Sequence, residues 1–462
     1  MTDVLIPASD SAAPIHSLRR AELDAFLARR RPGVRAQATL SGFKADAGQV
    51  CAIGRSDGGV ERVLFGLGED ERPSPMLFRA LPAKLPGGDY RLAAAPRGVD
   101  PFQIAVAWSL GAHAFDRYRP RPARPRPNLA VGPGVDLDGA RRLGHACALA
   151  RDMVDAPAND MGPLQIETIA REIAHAHGAE ISVITGEDLH DANYPAVHAV
   201  GRAAVPARAP RMIELTWGEA GRPLIALVGK GVVFDTGGLD LKPSSSMRLM
   251  KKDMGGAAHA LALGRMIMGA GLPVRLVVLV PAVENAVSGD AMRPGDIIQT
   301  RKGLTVEIGN TDAEGRLILA DALARATELA PELTIDLATL TGAARAALGP
   351  QVIPFYTSDD RLARGVEEAA ARVADPVWRM PLWRGYAEAV EGDISDLRND
   401  PEAWAQAGSV TAALFLQRFA PKQGWAHFDI FAWNPKSRPG WPVGAEVQAI
   451  RALFDHLQRR YR

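Results

Sequence analysis

The sequence predicts an α/β protein of two domains. A small N-terminal α/β domain spans residues 1–135, and a linking helix spans 136–155. A larger C-terminal domain, 156–462, has a mostly parallel central sheet flanked by helices. Three observations carry this reading. A chain of 462 residues exceeds what one hydrophobic core spans. Up to residue 115, short runs of alternating apolar and polar residues are interleaved with helical ones. From residue 164 onward helix and strand periods follow each other in turn, the pattern of a doubly wound sheet.

Taken in order, residues 1–30 carry Pro7, Pro14 and a short helical pattern at 18–27, and read as a lead-in. Alternation predicts strands over 36–40, 49–53, 60–67 and 90–95, with helices over 75–81 and 101–115. In the linking helix Leu137, Leu143, Ala146, Leu149 and Met153 fall roughly on one face. A loop containing Pro157 and Asn159 opens the second domain. There the spacing predicts helices over 165–175, over 248–268 (ended by Gly269 and Gly271) and over 315–329 (stopped by Pro331). Strands are predicted over 181–184, 211–216, 224–234, 274–280 and 333–340. Segments 296–300 and 304–308 pair as a hairpin over Lys302 and Gly303. A helix at 408–419 and a strand at 427–433 precede a Pro- and Gly-rich turn over 435–444.

Composition narrows the function. The net charge of +1 implies no polyelectrolyte partner on overall balance, and 47% hydrophobic residues supply a sizeable core. Cys51 and Cys147 each sit in an apolar run, which suits buried free thiols in a reducing compartment and predicts a cytoplasmic protein. With an acid at Asp3 and no apolar core segment behind it, no secretory signal is expected. The apolar run at 276–283 is too short for a membrane span and is broken by Pro281. The run 116–127 holds five arginines and four prolines. It reads first as an extended edge segment with solvated arginines, and second as an anionic or nucleic-acid patch.

Two stretches carry chemistry. Asn310 to Leu317 packs Asp312, Glu314, Arg316 and Gly315 into a strand-to-helix junction. Two carboxylates so close repel, and they converge on one point only around a cation. A capped helix with Asn310 or Thr311 as N-cap and Arg316 solvated is the plainer account. The second stretch places Lys230 inside a run that otherwise reads as a buried strand, ends it at Asp235 before Gly237 and Gly238, and continues to Lys242 and Asp253. A buried lysine needs a reason. Asp235, Asp253, Asp312 and Glu314 carry the charge that neutralises two divalent ions, as in a two-metal hydrolytic site. Neither stretch has His or Cys, so oxygen donors accept Mn²⁺ or Mg²⁺ as readily as Zn²⁺. In a doubly wound sheet these groups fall at the carboxyl ends of strands, on one rim.

With these residues in view, the chain resembles the leucyl aminopeptidase family of dinuclear metallo-exopeptidases. NTDAEGRL at 310–317 is that family's signature, and GKGVVFDTGGLDLKP at 229–243 with MKKDMGGAA at 250–258 matches its other metal-binding segment. The similarity runs from about residue 150 to near the C-terminus. It implies that 156–462 is a catalytic metallopeptidase domain that releases N-terminal, leucine-like residues from peptides with a free N-terminus. It also implies that Lys230, Asp235, Asp253 and Glu314 hold one of two divalent ions (Mn²⁺ or Zn²⁺) per subunit. Asp235, Asp312 and Glu314 hold the other, and Lys230 can serve only as a neutral amine. By the same resemblance a metal-activated water attacks, Lys242 stabilises the oxyanion, and Arg316 holds an anion, bicarbonate, that relays the proton. Met250 lines the first side-chain pocket, Thr339, Leu340 and Gly342 contact substrate and anion, and the chain forms a homohexamer. Core packing explains Met250 as well, and a strand-end turn explains the other three. His259 reads as a packed or capping histidine. Asp240, two residues before Lys242, either points at that amine or is solvated. The alternatives are a two-metal phosphoesterase and a DNA-binding or scaffolding hexamer using Arg121, Arg124 and Arg126.

Overall fold

The computed structural model describes residues 3–119, 125–401 and 406–462. The chain divides into two compact units, Met1–Ala148 with Pro435–Val443, and Leu149–Asn434 with Gly444–Arg462. The division falls within the helix Leu137–Asp155.

In the first unit six strands form one sheet in the order Leu5–Ile6, Pro127–Ala130, Gly88–Leu92, Ala13–Arg19, Val60–Gly68 and Val50–Gly54. The lead-in therefore supplies the edge strand Leu5–Ile6 and the internal strand Ala13–Arg19, and its helical pattern forms the helix Arg20–Ala28. Pro14 lies ahead of Ile15, the first residue that pairs with Val60–Gly68, so its missing N–H costs that ladder nothing. The strand expected over 36–40 is instead part of a helix, Pro32–Leu40, with proline in its first turn. Burial explains the difference: Val34 and Ala38, four residues apart, face inward while Leu40 is exposed. Arg117, Arg119 and Arg126 are exposed. Arg121 and Arg124 lie outside the described residues.

The second unit is built on a sheet whose strands run Val377–Arg379, Ile353–Tyr356, Trp425–Asp429, Leu333–Ala338, Leu224–Gly229, Arg275–Asn285, Arg211–Trp217 and Glu180–Thr185. Its centre is parallel. Antiparallel pairs lie towards the 180–185 edge and between Ile353–Tyr356 and Trp425–Asp429. Helices cover both faces. Ala226 and Val228 cluster with Leu317, Leu319 and Leu323 of helix Gly315–Glu328. On the alternate face a Cβ at Gly229 would lie 2.7 Å from Ala257 in helix Gly255–Gly269. The strand expected over 224–234 is interrupted at Lys230. The register against Arg275–Asn285 nevertheless continues from Val228↔Leu279 to Gly231↔Ala282. The helix expected from 248 is likewise split, a tight turn at Met250–Met254 preceding Gly255–Gly269. Asp235, Asn285 and Asp429 end their strands, and Thr339 follows Ala338, so one rim gathers them.

Candidate active site

The rim joins the two chemical stretches. One oxygen each from Asp235, Asp312 and Glu314 lies within 4.8 Å of the others, a grouping that could hold a metal ion. Lys230 Nζ sits 3.0 Å from Glu314 Oε1 and 2.8 Å from Asp253 Oδ2, so Asp253 reaches the cluster across the amine. Lys242 Nζ lies 2.8 Å from Asp235 Oδ2 and 2.5 Å from Asp312 Oδ1. Gly315 makes this possible, because a Cβ there would lie 2.6 Å from Lys230 Nζ.

Electrostatics define what the cluster wants. Burial, reinforced by Asp235, pushes Glu314 up to about 8 and Asp312 up to about 6. For Lys230, burial pulls the pKa down, but Asp253, Glu314 and Asp235 outweigh it and hold the amine protonated. Lys242 is also raised, Asp235 overcoming its burial. As a neutral ligand Lys230 would first have to shed that proton. Glu314 Oε2 is buried without a hydrogen-bond partner. Crowded carboxylates with unsatisfied oxygen fit a divalent cation as counter-charge.

The surrounding loops are stitched together by Asn285 and Asn399, which sequence reasoning passed over, and by Thr311 and Asp240, to which it gave other roles. Asn285 Nδ2 donates to Asp235 Oδ1 at 2.8 Å and to Thr311 O at 3.1 Å. Asn399 accepts from Gly309 N and Asn310 N and donates to Asn310 O at 2.6 Å. Thr311 caps no helix; its hydroxyl donates to Gly237 O and accepts from Asp240 N. Asp240 Oδ2 in turn accepts from Thr311 N at 2.7 Å, so this exposed acid clips the Lys242 loop to the Asp312 junction. The only signal for these was position: an asparagine or threonine at a strand end or turn, where side chains satisfy loop amides. His259 is a packed histidine, donating from Nδ1 to Gly255 O and accepting at Nε2 from Gln448 N.

Beside the cluster lies a cavity of about 310 Å³ lined by Lys242, Met250, Lys252, Leu340 and Gly342 among others. Thr339 Oγ1 donates to Asp253 Oδ1 at 2.7 Å, and its carbonyl accepts from Lys230 Nζ at 3.2 Å. Asp429 shapes the following turn, its carboxylate accepting from Leu340 N, Thr341 N and the hydroxyls of Thr341 and Ser409. Arg316 opens on a second cavity of about 270 Å³ with Asp312, Thr341 and Gly342. Its Nε and Nη1 are buried without acceptors, and burial lowers its pKa to about 10.

Residues 148–454 match the cytosol aminopeptidase family, catalytic domain, and residues 13–131 match the M17 aminopeptidase, N-terminal domain. The chain belongs to the cytosol aminopeptidase family. It is therefore a peptidase, a hydrolase of aminopeptidase type. A probable cytosol aminopeptidase of Syntrophotalea carbinolica is 40% identical over 389 residues, 80% of this chain and 78% of that one. The crystal structure of the cytosol aminopeptidase from Coxiella burnetii superposes with a TM-score of 0.91 at 42% identity, covering 98% of both chains. The bottromycin maturation enzyme BotP, in complex with Mn, superposes with a TM-score of 0.87 at 33% identity, over 98% of this chain and 100% of that one. Among the described residues of this family member, no helix is long and apolar enough to cross a membrane.

Proposed function

We propose that the chain releases N-terminal residues, leucine-like ones included, from peptides with a free N-terminus. In this reading the rim cluster holds two divalent cations, Mn²⁺ or Zn²⁺. Lys230, Asp235, Asp253 and Glu314 hold one, and Asp235, Asp312 and Glu314 the other. When bound, such ions supply Lewis acidity that polarises a carbonyl and acidifies water. The chain's own groups do the rest. Lys242, half-buried on the cavity wall and protonated, donates to the charge that develops on the carbonyl oxygen. Arg316, with donors unmet in its cavity, holds a small anion such as bicarbonate that moves a proton from water to the leaving amine. Thr339 keeps Asp253 oriented, and the Leu340–Gly342 turn lines both cavities.

The observation that carries this reading is the convergence of Asp235, Asp312 and Glu314, with Asp253 behind Lys230, beside a cavity that also contains a protonated lysine. Cys51 and Cys147 are buried and form no disulfide, which supports a cytoplasmic site of action. By the family resemblance the working assembly is a homohexamer. Release of leucine from a leucyl chromogenic amide tests the reaction. It is expected to stop on chelation, to return with Mn²⁺ or Zn²⁺, to fail when the amine is acetylated, and to fall by about 10²–10³ in kcat for Lys242→Met. No release after metal reloading would reject the proposal.

A further inference from the structure

The cavity beside the cluster contains two cations that the reaction above does not use. Lys252 is only 6% exposed, yet its ammonium has no ion pair or hydrogen bond among the described residues. It lines the cavity with Nζ 5.1 Å from the centre of the Phe431 ring. Arg345, on the helix Gly342–Leu348, places its guanidinium 4.5 Å from the same ring, lines the same cavity and is equally unpaired. The nearby carboxylates are already engaged, Asp253 by Lys230 and Thr339, and Asp429 by the 340–341 turn and Ser409. An amine taken out of water without a counter-ion is costly, and stacking on an aromatic face offsets only part of that. Such a group is tolerated where a ligand brings the opposite charge.

We propose that this cavity receives the side chain of the substrate's N-terminal residue, and that Lys252 and Arg345 select an acidic one, glutamyl or aspartyl, over leucyl. The inference rests on the aminopeptidase reading. Met250 and Ile353 provide an apolar wall for the methylene groups, which also admits leucine. Phe431 stacks against both cations, so a planar carboxylate entering the cavity meets the guanidinium fork and the ammonium together. A site built around unpaired donors discriminates against side chains that leave them unpaired.

The test uses the Mn²⁺-loaded full chain with glutamyl, aspartyl, glutaminyl and leucyl amides. Glutamyl or aspartyl is expected to exceed leucyl in kcat/KM by about tenfold, with neutral glutaminyl tracking leucyl. Lys252→Met should lower the glutamyl-to-leucyl ratio about tenfold, to near parity, mainly through KM. Arg345→Met, at an exposed position that leaves folding undisturbed, should move it the same way, and Lys252→Arg should keep the preference. Calorimetry reads the same discrimination without turnover: free glutamate should bind more tightly than glutamine, and the difference should vanish in Lys252→Met. A wild-type preference for leucyl, or a ratio unmoved by both methionine variants, overturns the selectivity and leaves the peptidase reading standing. Release from none of the amides overturns both.

Discussion

His259 shows how one buried side chain couples this fold to pH. Its ring is completely buried and uses both nitrogens in the neutral form, one donating to Gly255 O and one accepting from Gln448 N. Burial holds its pKa at about 4. An unfolded imidazole titrates near 6.5, so acid protonates the unfolded chain first. The stability His259 contributes is whole above about 6.5 and is lost as pH falls towards 4, about 3 kcal/mol in all. His427 has the opposite sign, because Asp336 outweighs its burial and raises its pKa. The melting temperature is therefore expected to drop between pH 6.5 and 4.5, and to drop less steeply in His259→Gln; parallel slopes would refute the assignment. At this scale the sequence was informative where charge was dense. Lys230, Asp235, Lys242, Asp312 and Glu314 could be named because buried or crowded charges are anomalous. Asn285 and Asn399 could not, because an asparagine in a turn looks the same whether or not it holds a catalytic loop. Asp240 left two directions open, and only the fold shows that its carboxylate turns to Thr311 N.

Among the elements, the junction that starts helix Gly315–Glu328 depends on the absence of one atom. Gly315 does not require a left-handed backbone, and alanine favours a helix over glycine by about 1 kcal/mol. A methyl group there would meet Lys230 Nζ and Cε at 2.6 Å and Cδ at 2.8 Å. Gly315→Ala is thus expected to push Lys230 away from Asp253 and Glu314 and to lower the melting temperature, because loss of two buried ion pairs outweighs the gain in helix propensity. Activity on a peptide amide should fall about 100-fold, the scale of a misplacement of about 1 Å at a reacting centre. Wild-type turnover in a well-folded Gly315→Ala protein would show that Lys230 is not held against this helix. Element types were legible where periodicity ran long, as in Leu137–Asp155, whereas the strand expected over 274–280 runs on through Pro281 to Asn285. They failed at 36–40, where five residues fit alternation and a helical turn equally well, and burial of Val34 with Ala38 decided for the helix. The break at Lys230 was also hidden: Gly229 and Gly231 flank it, but the register against Arg275–Asn285 runs on across it.

For the molecule as a whole, the class of fold followed from the alternation of helix and strand, whereas the membership of Pro435–Val443 in the first unit has no local signature. The rim has a similar character. Its acids come from segments separated by whole strands and helices, and they meet only after Leu224–Gly229, Arg275–Asn285 and Leu333–Ala338 have paired. A divalent ion held there binds the folded second unit and not the unfolded chain, so loading must stabilise that unit by mass action. At a free concentration of 100 times Kd the gain is about 2.7 kcal/mol per site. Hydrogen exchange resolves where it appears. With Mn²⁺, amides of Leu224–Gly229 and Leu333–Ala338 that exchange only on unfolding are expected to slow about 100-fold per site, while Ala13–Arg19 and Val60–Gly68 in the first sheet slow far less. Equal slowing in both units would mean that the ion stabilises the chain from elsewhere. No slowing at a saturating concentration would mean that the acidic cluster is satisfied by Lys230 and Lys242 alone, with the lysines serving as permanent counter-charges.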